Sequence, residues 1–236
     1  MVNRVAVAVL AAALAATVAA GEGKEAARLK DAAEVLNEIM GAPDDAIPGD
    51  LLARAECVAA IPSVTKLALG FSGRVGRGAV SCRRGETMGG AWGPPSMISI
   101  GGGGFGLQIG GTASDVVLLV MNKKGAEHLL RSKFTLGGDA AAAAGPKGRS
   151  AAVATDATMN AEILTYARSR GLFAGVSLEG ASLRPDNDAN KAIYGKKVEA
   201  RDLLLEGKHG TPAAAQVFIA ALQKHAPKNV SAKVNK

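Results

Sequence analysis

The stretch S-I-G-G-G-G-F-G-L-Q-I-G-G, residues 99–111, is the first place where spacing could do chemistry. Gly101, Gly103 and Gly106 fit G-x-G-x-x-G, the pattern that cradles a dinucleotide pyrophosphate. That chemistry needs a strand before the glycines, a helix after them, and an acidic residue ending a second strand about 20 positions on. Met97–Ile100 supply the strand. The segment after Gly106, L-Q-I-G-G-T-A-S-D-V-V-L-L-V, is β-branched and glycine-broken, and Glu127 ends no second strand. The context fails, so the glycines are expected to serve close backbone packing, and no nucleotide or other cofactor is expected. Asp186, Asp188 and Asn190 begin like a calcium loop, but Lys191 and Lys197 occupy the positions that require Gly and Glu. His128, His209 and His225 match no metal spacing, and the chain holds neither a P-loop nor a G-x-S-x-G elbow. No metal site and no catalytic set is expected.

What remains is charge. The chain carries a formal +7. Basic pairs recur, most in expected turns: Arg74 with Arg77, Arg83 with Arg84, Lys123 with Lys124, Arg131 with Lys133, Lys147 with Arg149, Arg168 with Arg170, Lys196 with Lys197. Each pair alone reads as solvated loop ends. Several meeting on one face would make a site for an anionic surface, at about 1 kcal/mol per charge near a membrane. Aromatics are 3% of the chain, too few for base stacking, so nucleic acid is not an expected partner.

The elements that must position these charges follow from periodicity. Met1–Arg4 and the uncharged run Val5–Ala20 read as a secretory signal, residues 1–20, cut before Gly21. An uncleaved anchor is the other reading, for which the run is short. Cleavage removes Arg4 and leaves +6. In an exported, periplasmic or secreted protein, Cys57 and Cys82 can pair; two buried thiols are the alternative. Residues 24–40 form a helix with Leu29, Ala33, Leu36 and Met40 on one stripe. That stripe either docks on the core or lies on a membrane through Lys24, Arg28 and Lys30, with Glu25, Asp31, Glu34 and Glu38 opposing the second use. Pro48 opens a helix through G-D-L-L-A-R-A-E-C-V-A-A. Strands are expected at 97–100, 107–109 and 115–121, a short helix at 125–132, loose alternation at 149–158, and a hairpin of 161–168 with 172–183. Helices return at 187–194, 198–206 and 212–224, the first capped by Asn187 or Asp188. Helices, then strands, then helices, without βαβ alternation, predict an α+β fold. Its core would be a glycine-rich, mainly antiparallel sheet or barrel flanked by terminal helices.

Longer motifs now bear on function. A-E-C-V-A-A-I-P-S-V-T-K-L-A-L-G-F-S-G-R-V-G-R-G and G-G-A-W-G-P-P-S-M-I-S-I-G-G-G-G-F-G resemble the SYLF-domain family, as do L-G-G-D-A-A-A-A-A-G-P-K-G-R and Y-A-R-S-R-G-L-F-A-G-V-S-L-E-G-A-S-L. The resemblance runs over residues 25–225 and leaves 226–236 as a basic tail. It implies a non-enzymatic domain that binds anionic phospholipid or phosphoinositide headgroups at a membrane surface. Relatives that also bind actin carry SH3 or FYVE modules; this chain looks like a stand-alone exported bacterial form, which speaks against actin as a partner. The expected lipid contacts are Lys24, Arg28, Lys30, Arg74, Arg77, Lys123, Lys124, Arg168 and Arg170. A structural envelope protein that binds a protein or wall polymer is the alternative, and a hydrolase with a dispersed site the third.

Overall fold

The computed structural model describes residues 23–42, 46–147, 160–169 and 171–229; for 68–72 and 104–110 the description is confined to the backbone. Residues 1–20, read above as a signal, the segment 149–158 expected to alternate, Arg170 and most of the tail lie outside the described residues.

Helix α1, residues 23–41, buries Leu29, Ala32, Ala33, Val35, Leu36 and Ile39 as one stripe. The stripe packs into the core, so α1 has no apolar face left for a membrane. Helix α2, Gly49–Arg54, ends six residues earlier than its sequence predicts, and strand β1, Cys57–Cys82, begins where helix was expected. The reason is tertiary. Cys57–Ile61 pair with Val116–Val120, and burial between β-branched neighbours outweighs the helix preference of two alanines.

Strand β2, Ser96–Val120, is likewise one element where three strands were expected. It pairs with β1 antiparallel over almost its whole length, from Cys57↔Val120 to Val80↔Ser96. Gly106 lies inside this strand and starts no helix. A straight ribbon of this length would run about 85 Å, longer than a domain of this size is wide. The ribbon folds back instead. Register shifts fall at Ile61/Val64, around Pro62, and at Leu69/Phe71, around Gly70. The two ends of β1 meet: Cys57 and Cys82 form a disulfide, and the Arg83 N–H donates to the Glu56 carbonyl at 2.8 Å.

Glycine permits the closure. A Cβ on Gly78 would press on the Ala60 carbonyl oxygen and lie 2.7 Å from the Ile61 Cα. Backbone cannot yield as a side-chain tip can, so Gly78→Ala should destabilise by about 2 kcal/mol. Urea titration of the variant checks this through the midpoint.

The folded ribbon organises the rest. After β2 comes α3, Lys123–His128, capped by Asn122, whose Oδ1 accepts from the Gly125 N–H at 2.8 Å. Then follow β3, Phe134–Thr135; β4, Ala142–Ala144; β5, Ile163–Ser169; β6, Leu172–Gly175; and β7, Ser182–Pro185. The sheet order is β3-β7-β2-β5-β4, with β1 along β2 and β6 on β5. The pairings among these strands are antiparallel except β4 with β5. The expected long strand 172–183 is two short ones with different partners, β5 for β6 and β2 and β3 for β7. Gly180, at φ +77, turns the chain between them.

Helix α4, Asn187–Tyr194, is capped by Asp186, one residue before the expected caps; its Oδ1 accepts from the Ala189 N–H. Helix α5 is Ala200–Leu204, and a 3-10 turn, Ala213–Ala215, leads into α6, Gln216–His225. Both faces of the central strands are covered. Val58, Ala60, Val117 and Leu119 face α1 and α6, while Ala59, Ile61, Val116 and Leu118 face Phe134, Leu203 and Leu204. That double burial explains the unbroken apolar run D-V-V-L-L-V. The fold is α+β, a curled sheet between terminal helices.

A candidate anion-binding groove on a glycine floor

The glycine run at 101–103 floors a groove. Gly101, Gly102 and Gly103 line an open hollow of about 990 Å³ with Val75, Arg77, Lys133 and Arg184. Register explains the assembly. Gly101 pairs with Val75 on one side and Ser182 on the other, and Gly102 pairs with Arg74. A Cβ at Gly102 would lie 3.2 Å from both the Ala181 Cα and the Gly180 oxygen, so glycine lets the β6–β7 turn pack down on the ribbon. A second hollow shares Gly102, Gly103 and Gly180 and adds Lys66, Arg74 and Glu179.

Five cations therefore surround one floor: Lys66, Arg74, Arg77, Lys133 and Arg184. Facing them are Glu179, Asp186 and Asp188. Asp186 is largely committed: its Oδ2 accepts from the buried Arg28 at 3.1 Å, while Arg77 approaches it only to 4.0 Å. Arg184 Nε donates to the Ser99 hydroxyl at 3.2 Å. Among the described residues, Lys66, Arg74, Lys133 and Arg184 form no ion pair. Burial pulls the Arg74 guanidinium below its ordinary value, because the cation is partly withdrawn from solvent. Such a site gains from a bound anion.

The other expected contacts sit elsewhere. Arg28 is buried, paired with Glu25 at 2.7 Å and with Asp186, and ties α1 to the start of α4. Lys30 is exposed and pairs with Glu34 along its own helix, and Lys24 is exposed on the first turn. Lys123 and Lys124 are exposed on α3, and Lys124 pairs with Glu162 at 2.6 Å. Arg168 bonds Glu38 and Asp115, the latter at 2.9 Å, in a hollow of its own. Burial lowers the Arg168 value, but those two carboxylates outweigh it and hold the charge more firmly. Of the expected set, the groove collects Arg74 and Arg77. The expectation missed Lys66, Lys133 and Arg184, which only the folded ribbon brings together.

Beyond this groove, other buried polar residues include Arg83 and Glu162. Arg83 is buried under Trp92, its guanidinium 4.2 Å from the ring centroid. Glu162 lies between Lys124 and the buried His128, whose Nε2 is 3.2 Å away. Burial pushes the Glu162 carboxyl up, and Lys124, His128 and a backbone hydrogen bond at Ala141 together more than reverse it, so its value falls below the usual one. No group of metal-ligating side chains occurs among the described residues.

Comparison with known proteins decides the family. The family described as Ysc84, Las17-binding protein actin regulator, matches residues 101–225, more than half of the chain. The chain belongs to the Ysc84, or SYLF, family. The groove floor, β5–β7 and the C-terminal helices all lie inside that match. Several Ysc84 relatives resemble the chain over more than this span. LAS seventeen-binding protein 3 of Saccharomyces cerevisiae is 34% identical over 208 residues, 87% of this chain and 44% of the yeast protein. SH3 domain-containing YSC84-like protein 1 of Homo sapiens is 36% identical over 197 residues, 83% of this chain and 56% of the human protein. SH3 domain-containing protein PJ696.02 of Schizosaccharomyces pombe is 38% identical over 174 residues, 72% and 39% of the two chains. The chain thus spans about half the length of the curated relatives it matches. These Ysc84 relatives are named for binding or for a domain, not for a reaction.

Proposed function

We propose that this chain is a non-enzymatic lipid-binding domain that docks on anionic phospholipid or phosphoinositide headgroups at a membrane surface. The observation that carries the reading is the sorting of its cations. Arg28 and Arg168 are engaged by carboxylates within the fold, whereas Lys66, Arg74, Lys133 and Arg184 gather unpaired around a glycine floor. A phosphate there would find guanidinium forks and a floor without side chains to hold it off. We further propose that the protein works after export, periplasmic or secreted, with 1–20 as the signal and 25–225 as the domain. The disulfide between Cys57 and Cys82 supports an oxidising compartment.

The printed names of the relatives favour a second reading, a protein-binding module, since one of them is a LAS seventeen-binding protein. The two readings separate by NMR. Titration of the isotope-labelled protein with a soluble inositol phosphate should shift the amides of Gly101–Gly103, Gly180 and Arg184 as one set. No shifts at millimolar ligand, with capture of a protein from envelope extracts, would favour the second.

A further inference from the structure

We infer that the outer surface of the folded ribbon beside the groove, at Leu67 and Val75, inserts into the hydrocarbon boundary of an anionic bilayer. This rests on the lipid reading above and adds the depth and orientation of docking. Four large apolar side chains are exposed among the described residues: Leu67 at 60%, Val75 at 62%, Leu172 and Val217. Single exposed apolar residues are ordinary. Leu67 and Val75 differ from the other two in their surroundings.

Both lie on β1, on either side of its bend, and each faces a glycine across the ribbon: Leu67↔Gly111 and Val75↔Gly101. No partner side chain on β2 can cover them. Each follows a cation in the chain, Lys66 before Leu67 and Arg74 before Val75, and Val75 shares the groove wall with Arg77. Lys66 and Arg74 line the second hollow, while Leu67 and Val75 next to them stay exposed. Apolar tips rimmed by Lys and Arg match the boundary between headgroups and acyl chains, where cations meet phosphate and methyl groups leave water. The cationic rim commits the occupant to an anionic surface. A second copy of this chain, itself cationic, would set like charges against each other.

Two measurements test it, both on vesicles of phosphatidylserine and phosphatidylcholine in equal parts. In Leu67→Trp the new indole should shift to the blue on vesicle binding and be quenched by brominated acyl chains; Trp92 is buried and supplies a constant background. The double variant Leu67→Ser/Val75→Ser, with its melting temperature retained, should bind about a hundredfold more weakly. If the parent protein binds but the indole stays unquenched and the double variant binds as the parent does, insertion is overturned and the headgroup reading stands. A parent protein that binds no vesicle overturns both. A parent that sediments as a dimer, dispersed by the double variant, assigns the surface to self-association and overturns insertion.

Discussion

Arg83→Ala should lower the stability of the protein by about 4 kcal/mol, read as a lower urea midpoint at unchanged slope. Arg83 is 1% exposed and has no carboxylate among its described partners. Its guanidinium donates to the carbonyls of Ala55 at 3.3 Å, Gly90 at 3.4 Å and Ala226 at 2.8 Å. Trp92 stacks on its face and donates Nε1–H to the same Ala226 oxygen at 3.0 Å. Burial pulls Arg83 down to about 10, which leaves it charged at neutral pH. The counter-charge is therefore dipolar. Ala226 caps the C-terminus of α6, where unsatisfied carbonyls concentrate partial negative charge. One side chain thus fastens the end of β1, the loop before β2 and the last helix. Alanine removes hydrogen bonds to a charged donor, worth about 1.5–3 kcal/mol each before the relief of desolvation, and leaves a cavity. Arg83→Met should recover the packing share alone and fall between the two. A midpoint equal to that of the parent in Arg83→Ala would contradict this account of the joint.

The double reversal Arg77→Glu/Arg184→Glu should weaken binding to anionic vesicles by about a thousandfold. Each substitution changes the local charge by two, and about 1 kcal/mol per charge near an anionic surface sums to about 4 kcal/mol. Both side chains line the groove from the solvent side, so the fold should tolerate the change within about 0.5 kcal/mol. Lys196→Glu/Lys197→Glu alters the same net charge on exposed residues that do not line the groove. It should cost no more than about tenfold, since these exposed charges do not line the groove and salt screens them. Co-sedimentation at fixed salt compares the two. Equal losses would show that net charge, not the groove, attracts the surface.

Local pattern carried some of this structure and long-range pairing the rest. The stripe of α1 and the run D-V-V-L-L-V were legible because burial on one or both faces leaves its period in the chain. So was the lack of a helix after Gly106, because β-branched residues follow where one would start. The continuity of β1 and β2 was not legible. Their glycines break the apolar pattern into pieces, and what joins the pieces is a ladder between strands. Arg28 and Arg77 look alike in sequence, yet Arg28 meets Asp186 across 158 residues and is spent on the fold. Arg168 meets Glu38 across 130 residues. Arg184 reaches the groove only because β7 pairs with Ser99 at its own position.

The central claim is that the groove's unpaired cations dock the chain on an anionic membrane. Co-sedimentation of the parent protein with vesicles of phosphatidylserine and phosphatidylcholine, against phosphatidylcholine alone, tests it most directly. The account predicts binding to the anionic vesicles at low salt, little to the neutral ones, and a steep decline as salt screens the surface. Equal, negligible binding to both at low salt would contradict it.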